Sequence, residues 1–256
     1  MEATPLERCH IGLLRWFVAA TQILGLTAVI ITGVWLGHYQ GGFAWDGSSQ
    51  QFNVHPLCMV LGMVFLYGDA ILVFRTLRNE SKTTAKILHA SIQLLALVAV
   101  IVGTIAVFDF HTAQNIPQMY SLHSWCGLLT IILFCLQWVM GLTFFLLPTL
   151  SYSLRAIYHP YHVYFGLGLF ILAIGTCLAG ITEKLLFSIG ATYSKYDPQG
   201  ILANVLGLLL VSFGFVVGYI LSRDEWKREA SPEEEALSMH FKTLTEGGSP
   251  DSQRDQ

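Results

Sequence analysis

Long unbroken apolar runs dominate the chain, separated by short polar segments. Six runs are long enough to cross a bilayer: residues 14–37, 54–75, 87–108, 121–147, 161–181 and 200–222. A hydrocarbon core of about 30 Å needs roughly 20 residues of helix at about 1.5 Å per residue. The runs are continuous and do not alternate with period two. In lipid only helices or closed barrels satisfy their own backbone groups, so the continuous pattern selects helices. It predicts an all-α integral membrane protein, a six-transmembrane-helix bundle. An even number of crossings leaves both ends of the chain on one side. The first run follows Arg8 and Arg15. It exceeds a signal-peptide core of about 7–15 residues, so it reads as an anchor that is retained.

Charge orients the bundle. The segments before the first run, between the second and third, between the fourth and fifth, and after the sixth hold Arg8, Arg75, Arg78, Lys82, Lys86, Arg155, Arg223, Lys227 and Arg228. The opposite loops hold only Lys184 and Lys195. The positive-inside rule then places both termini in the cytosol. Asn79-Glu80-Ser81 matches a glycosylation sequon, but on this topology it faces the cytosol and stays unmodified. Composition agrees, with 12% charged residues where a soluble domain carries about 25%. A net charge of −3 says little about partners. The basic residues sit in short connections and not along one amphipathic face, which argues against nucleic-acid binding. Residues 1–228 form the membrane domain. Residues 229–256 are rich in Glu, Ser, Gly and Asp and include His240; they read as a disordered cytosolic tail. Cys9, Cys58, Cys126, Cys135 and Cys177 show no CxxC spacing and read as reduced packing residues.

Four histidines change the picture from anchor to chemistry. His55, His89, His123 and His162 lie 34, 34 and 39 residues apart, each near one end of an apolar run. One helix and a turn fill that spacing, and successive helices run in opposite directions. His55 and His123 therefore share one depth near the lumenal face, and His89 and His162 share the other near the cytosolic face. A lone histidine in an apolar run is more often hydrogen-bonded to a neighbour than bound to metal. Ionisable groups inside a membrane are costly, however, and tend to face the bundle interior and to function there. Four at two matched depths point to two bis-imidazole haems held between helices 2–5. Zinc fits less well, because a structural site wants four ligands at one point. Two imidazoles leave haem iron no open position, which suits electron transfer. A proton or metal-ion transporter using the histidines as a relay, or a haem-bearing subunit of a quinone-linked complex, are the alternatives. His159 rivals His162. Pro160 at the first turn of helix 5 would leave His159 at the helix mouth and His162 a turn deeper, so His162 is preferred. His10 and His38 read as surface residues.

Cations gather over the cytosolic pair. Lys82 and Lys86 precede His89 by seven and three residues. If helix 3 reaches them, they share its face within about 60°. Arg155 precedes His162 by seven, and Arg75 ends helix 2 on the same side. The bland reading is ordinary positive-inside anchoring. The sharper one is a site for a small anionic reductant, with Arg75 or Lys227 on haem propionates. On the other face, the loop Phe108–Asn115 leads into Gln118-Met119-Tyr120-Ser121. It is either a plain connection or a cover for the outer haem edge that seats an acceptor at His111. Glu183 ends helix 5 beside it. Asp69, deep in helix 2, has no assigned role beyond a polar partner on another helix.

FNVHPLCM around His55, KTTAKILH ending at His89, YSLHSWCG around His123 and PYHVYFG around His162 resemble the cytochrome b561 family over essentially the whole chain. The stretches AILVFRTLRN and SMHFKTLTEGGSPDSQ add to the likeness. The tail is most similar to that of the secretory-vesicle branch. The resemblance implies six helices, two haem b groups, a homodimer, and electron transfer from cytosolic ascorbate to lumenal monodehydroascorbate or ferric iron. It implies His55 with His123 and His89 with His162 as axial pairs, and Lys82, Lys86 and Arg155 as ascorbate contacts. Arg75, Gln118, Met119, Tyr120, Ser121, Glu183 and Lys227 would be haem contacts, and His111 would lie by the lumenal substrate. Asp69 departs from the uncharged residue of close relatives.

Overall fold

The computed structural model describes residues 5–147, 150–229, 235, 236 and 239. The predicted tail, with His240, lies almost wholly outside them. Six helices are long and apolar enough to cross a membrane: α1 (Cys9–Tyr39), α2 (Ser49–Thr76), α3 (Lys82–Ala113), α4 (Leu122–Leu146), α5 (Tyr152–Ile189) and α6 (Pro198–Ser222).

Local chemistry sets the helix starts. The Ser81 hydroxyl accepts the Thr84 N–H at 3.1 Å and opens α3. Ser121 and Ser124 form a reciprocal capping box at the start of α4. Ser151 caps α5, and Asp197 caps α6 with Pro198 in its first turn. Such caps satisfy N–H groups that the helix itself leaves open. They also explain two departures from the sequence reading. Pro160 is not in the first turn of α5; the helix begins at Tyr152 and runs through it. Phe108–Ala113 is not loop; α3 carries it through Ala113, with Gln114 as its C-cap before the left-handed Asn115 (φ 55°). Apolar windows locate the part of a helix in hydrocarbon, whereas caps locate where the helix begins and ends. Lys184, counted above among loop charges, likewise lies within α5.

The bundle packs α1 mainly on α6, α2 on α3 and α4 on α5, with α2 the most enclosed. Without a hydrophobic drive in lipid, close backbone approach and packing hold such helices. Gly103 illustrates this, since a Cβ there would come within 2.8 Å of Cys58 Cβ on α2. The centre is tightly packed and aromatic. Tyr67, fully buried, has Phe134 and Phe170 at ring-centre distances of 5.1 and 5.6 Å, and its hydroxyl donates to the Gly166 carbonyl at 2.8 Å. Leu129, Ile132, Leu136 and Val139 of α4 point outward and exposed, as expected of a lipid face.

Both described ends meet on one face, here the terminal face. The Trp226 indole N–H donates to the His10 carbonyl at 3.1 Å. Arg75 is buried there, donating to the Leu221 and Arg223 carbonyls at 2.7 Å each. It thereby ties α2 to the open carbonyl end of α6. Asp69 has an answer as well: the Gln22 amide of α1 donates to its carboxylate at 2.7 Å.

Two paired-histidine sites and their mouths

The four sequence-selected histidines come together as two pairs. His55 on α2 faces His123 on α4 with ring centres 6.1 Å apart and planes at 85°. His89 on α3 faces His162 on α5 at 6.3 Å and 71°. One iron bonded to two imidazoles at about 2 Å each, with each ring centre about 1 Å beyond its nitrogen, sets the centres about 6 Å apart. Both pairs match that span. His159 does not reach His89; its ring lies 6.1 Å from Phe145, within electrostatic range of Lys82 and Lys86.

The backbone orients three of the rings. His55 Nδ1 lies 3.1 Å from the Gly103 carbonyl, His89 Nδ1 2.8 Å from that of Ala70, and His123 Nδ1 2.9 Å from that of Thr176. A carbonyl only accepts, so each Nδ1 carries the proton and each Nε2 keeps its lone pair for a metal. His162 Nδ1 is buried without a hydrogen-bond partner. Its ring is instead set between Phe145 at 5.2 Å and Tyr158 at 5.8 Å. The Gln137 amide donates to the His162 carbonyl at 2.6 Å, and Tyr158 donates to Gln137 at 3.4 Å.

Glycine makes the room. A Cβ at Gly180 would fall 2.6 Å from His123 Cε1, and one at Gly141 would fall 2.9 Å from His162 Cε1. Among the described residues no group of three or more His, Cys, Asp or Glu converges on a point, so the donor set is two imidazoles per level. That set suits an iron whose remaining four nitrogens come from a porphyrin. A cavity of about 430 Å³ lies at the His55–His123 level, and both of these histidines line it.

Around that cavity, on the face opposite the termini, the predicted contacts divide. Met119, Tyr120, Ser121, Glu183 and His111 line it. The Ser121 hydroxyl donates to Glu183 at 3.2 Å, and His111 stacks on Tyr120 with ring centres 6.4 Å apart. Burial and the nearby Glu183 carboxylate push the Tyr120 phenol up, so it stays a hydrogen-bond donor at neutral pH. Gln118 does not line the cavity; its amide ties the loop to the Phe108 carbonyl at 3.0 Å.

On the terminal face, Lys86 Nζ donates to the Phe145 carbonyl at 3.2 Å, and Arg155 Nη2 to that of Leu147 at 3.5 Å. Both cations are thus drawn to the same end of α4. Arg155 Nε is buried with no hydrogen-bond partner. Lys82 stands exposed in the first turn of α3. Arg75 uses two of its five N–H groups on α6 carbonyls, leaving three for a ligand. Lys227 is exposed and paired with Asp224 at 2.5 Å, a contact that holds the Asp224 carboxyl below its ordinary value.

Gln22, Gln137, Tyr158, Gly141 and Gly180 were not anticipated. Gln22 carried a usable signal, a lone amide in an apolar run, matching the lone Asp69. The two glycines carried none, because nothing distinguishes them from the other glycines of the chain.

A six-helix membrane bundle with a histidine pair towards each face has the architecture of a membrane-spanning cytochrome. The chain belongs to the eukaryotic cytochrome b561 family, whose model matches residues 54–188 and so takes in all four histidines. It is 58% identical to the transmembrane ascorbate-dependent reductase CYB561 of Sus scrofa, over 94% of this chain and 96% of that protein. It is 55% identical to the Homo sapiens protein of that name, over 94% and 95%. The plasma membrane ascorbate-dependent reductase CYBRD1 of Xenopus laevis is 44% identical over 92% and 82%.

Proposed function

We propose that this protein is a transmembrane ascorbate-dependent reductase, taking single electrons from ascorbate at the terminal face and delivering them at the far face to monodehydroascorbate or ferric iron. The observation that carries the reading is the two matched histidine pairs, each at iron-clamping span and each near a different face. Two haem b groups, when bound, supply the one-electron redox centres at these levels.

The protein's own residues do the rest. Lys82, Lys86 and Arg155 hold the ascorbate monoanion by charge and directed N–H groups. The buried Arg155 Nε supports this, since it is a donor with no acceptor of its own. Ascorbate gives up one electron and one proton and leaves as the anion radical; the proton passes to water. At the far face the same exchange runs in reverse, with His111 and Tyr120 at the mouth. His55 with His123, and His89 with His162, would each hold one haem iron through two imidazoles and so would leave it no site for oxygen. Met119, Tyr120, Ser121 and Glu183 would cover the far-face haem, with Gln118 bracing their loop. Arg75 and Lys227 would hold the other haem. Tyr67, Phe134 and Phe170 keep the span between them dry. The terminal face is cytosolic, in a secretory-vesicle membrane, with two copies forming a homodimer; each electron crossing involves about 2.3 kcal/mol per 100 mV of potential.

Lys86→Ala tests the donor site. It should raise the apparent KM for ascorbate about tenfold, the equivalent of about 1.4 kcal/mol, while haem content and spectrum stay unchanged. Unaltered stopped-flow reduction by ascorbate would refute the site.

A further inference from the structure

We infer that Lys184 is the cation that holds an anionic electron acceptor at the far-face mouth. Its place in α5 is the first argument. Gly180 abuts His123, and Lys184 follows by four residues, so it stands on the same helix face about one turn, roughly 6 Å, further out. The opposite face is built alike, because Lys86 precedes His89 by three residues and also stands about one turn outside an imidazole.

The surroundings supply the second argument. Lys184 is the sole Lys or Arg among the described residues that line the cavity. Its ammonium lies 4.4 Å from the centre of the Phe52 ring, and that ring lies 6.1 Å from the ring of His55. One aromatic ring therefore separates the charge from the His55 imidazole. Phe110 meets Phe52 at 5.4 Å and His111 at 5.7 Å, so lysine and histidine share one aromatic wall. A cation over a ring is held in place without losing its charge. The nearest acid in sequence, Glu183, accepts from Ser121. Among the described residues Lys184 forms no ion pair.

A half-buried ammonium in an apolar wall attracts anions and repels cations. The class this mouth takes is a small oxyanion with delocalised charge, such as an enediolate or its radical. Ferric iron would enter as an anionic chelate and not as the free ion. The inference deepens the proposed function by naming the charge class at the acceptor end.

The test uses vesicles with the far face outward and the haems reduced beforehand by a membrane-permeant hydroquinone, which makes the outcome independent of the donor. Two impermeant oxidants of opposite sign are then added, ferricyanide and hexaammineruthenium(III). Lys184→Gln should slow ferricyanide about tenfold and flatten its salt dependence. The same variant should leave the ruthenium complex as fast or faster, and Lys184→Arg should retain the parent behaviour. Equal slowing of both oxidants, or no change in either, would overturn the inference. So would a changed spectrum or midpoint potential of the far-face haem, since the cation would then serve the cofactor. Loading ascorbate in place of the hydroquinone tests the donor reading separately.

Discussion

Single atoms decide whether these histidines can act. Three rings are steered by backbone carbonyls of neighbouring helices, those of Gly103, Ala70 and Thr176, and each carbonyl holds the proton on Nδ1, so that Nε2 keeps its lone pair. Two missing Cβ atoms, at Gly180 and Gly141, leave the space that the rings occupy. A side chain at 2.6 Å from His123 Cε1 is well inside contact distance, so either the ring or α5 must move. Gly180→Ala should therefore lower the far-face haem content while sparing the other site. Reduced-minus-oxidised absorbance per mole of protein reads this directly, and full two-haem content in the variant would contradict the packing argument. The effect should be larger than that of a substitution at Gly175, where a Cβ meets nothing within 4 Å.

At the scale of elements, the helices are joined by a few polar contacts placed where lipid cannot compete. Gln22 of α1 donates to Asp69 of α2 at 2.7 Å, and Arg75 clasps the end of α6. Interhelical hydrogen bonds in membranes average about 0.6 kcal/mol and reach about 1.7. Stranding an ionisable partner costs about 1–3 kcal/mol. Gln22→Leu should accordingly lower stability by about 1–2 kcal/mol in a detergent unfolding titration. Adding Asp69→Leu to it should recover much of that loss, because the pair is then replaced by packing apolar groups. If the two losses simply added, Asp69 would owe its place to something other than Gln22. Arg75 differs in kind. Its two bonds to carbonyls at the C-terminal end of α6 also place a positive charge at the negative pole of that helix.

The whole molecule is organised by opposition. Two sites, two mouths and two faces repeat with different chemistry: a cluster of cations at the terminal face, and a histidine, a phenol and one lysine at the other. Orientation is what turns this into direction of electron flow. The excess of Lys and Arg on the terminal side predicts that this side stays in the cytosol. The sequon Asn79-Glu80-Ser81 lies in the connection between α2 and α3, on that side. Expressed in a glycosylating cell, the protein should show no mobility shift on deglycosylation. A sequon engineered between α3 and α4, on the other side, should be modified. Glycan at Asn79 would invert the topology and with it the direction of transfer.

Residue type and spacing by themselves determined a good deal. Apolar runs of bilayer length require six helices, because lipid offers the backbone no partner. Histidines one helix apart must alternate in depth, because helices alternate in direction. The matched levels and the axial candidates followed from that alone. Likeness of His-centred motifs to a family added the substrates. Tertiary structure decided what periodicity does not encode. It set the His162 ring, and not that of His159, opposite His89, although the Pro160 argument that preferred His162 placed the start of α5 too late. It paired Asp69 with Gln22, 47 residues away in sequence. It turned Arg75 towards α6 and brought Lys184 off its predicted loop onto the wall of the far-face mouth. The physical reason is common to all of these. Hydropathy and spacing report where a residue sits along its own helix, whereas contacts depend on how two helices are rotated against each other. That rotation is set by close approaches, such as those at Gly103, Gly141 and Gly180, that no single segment carries.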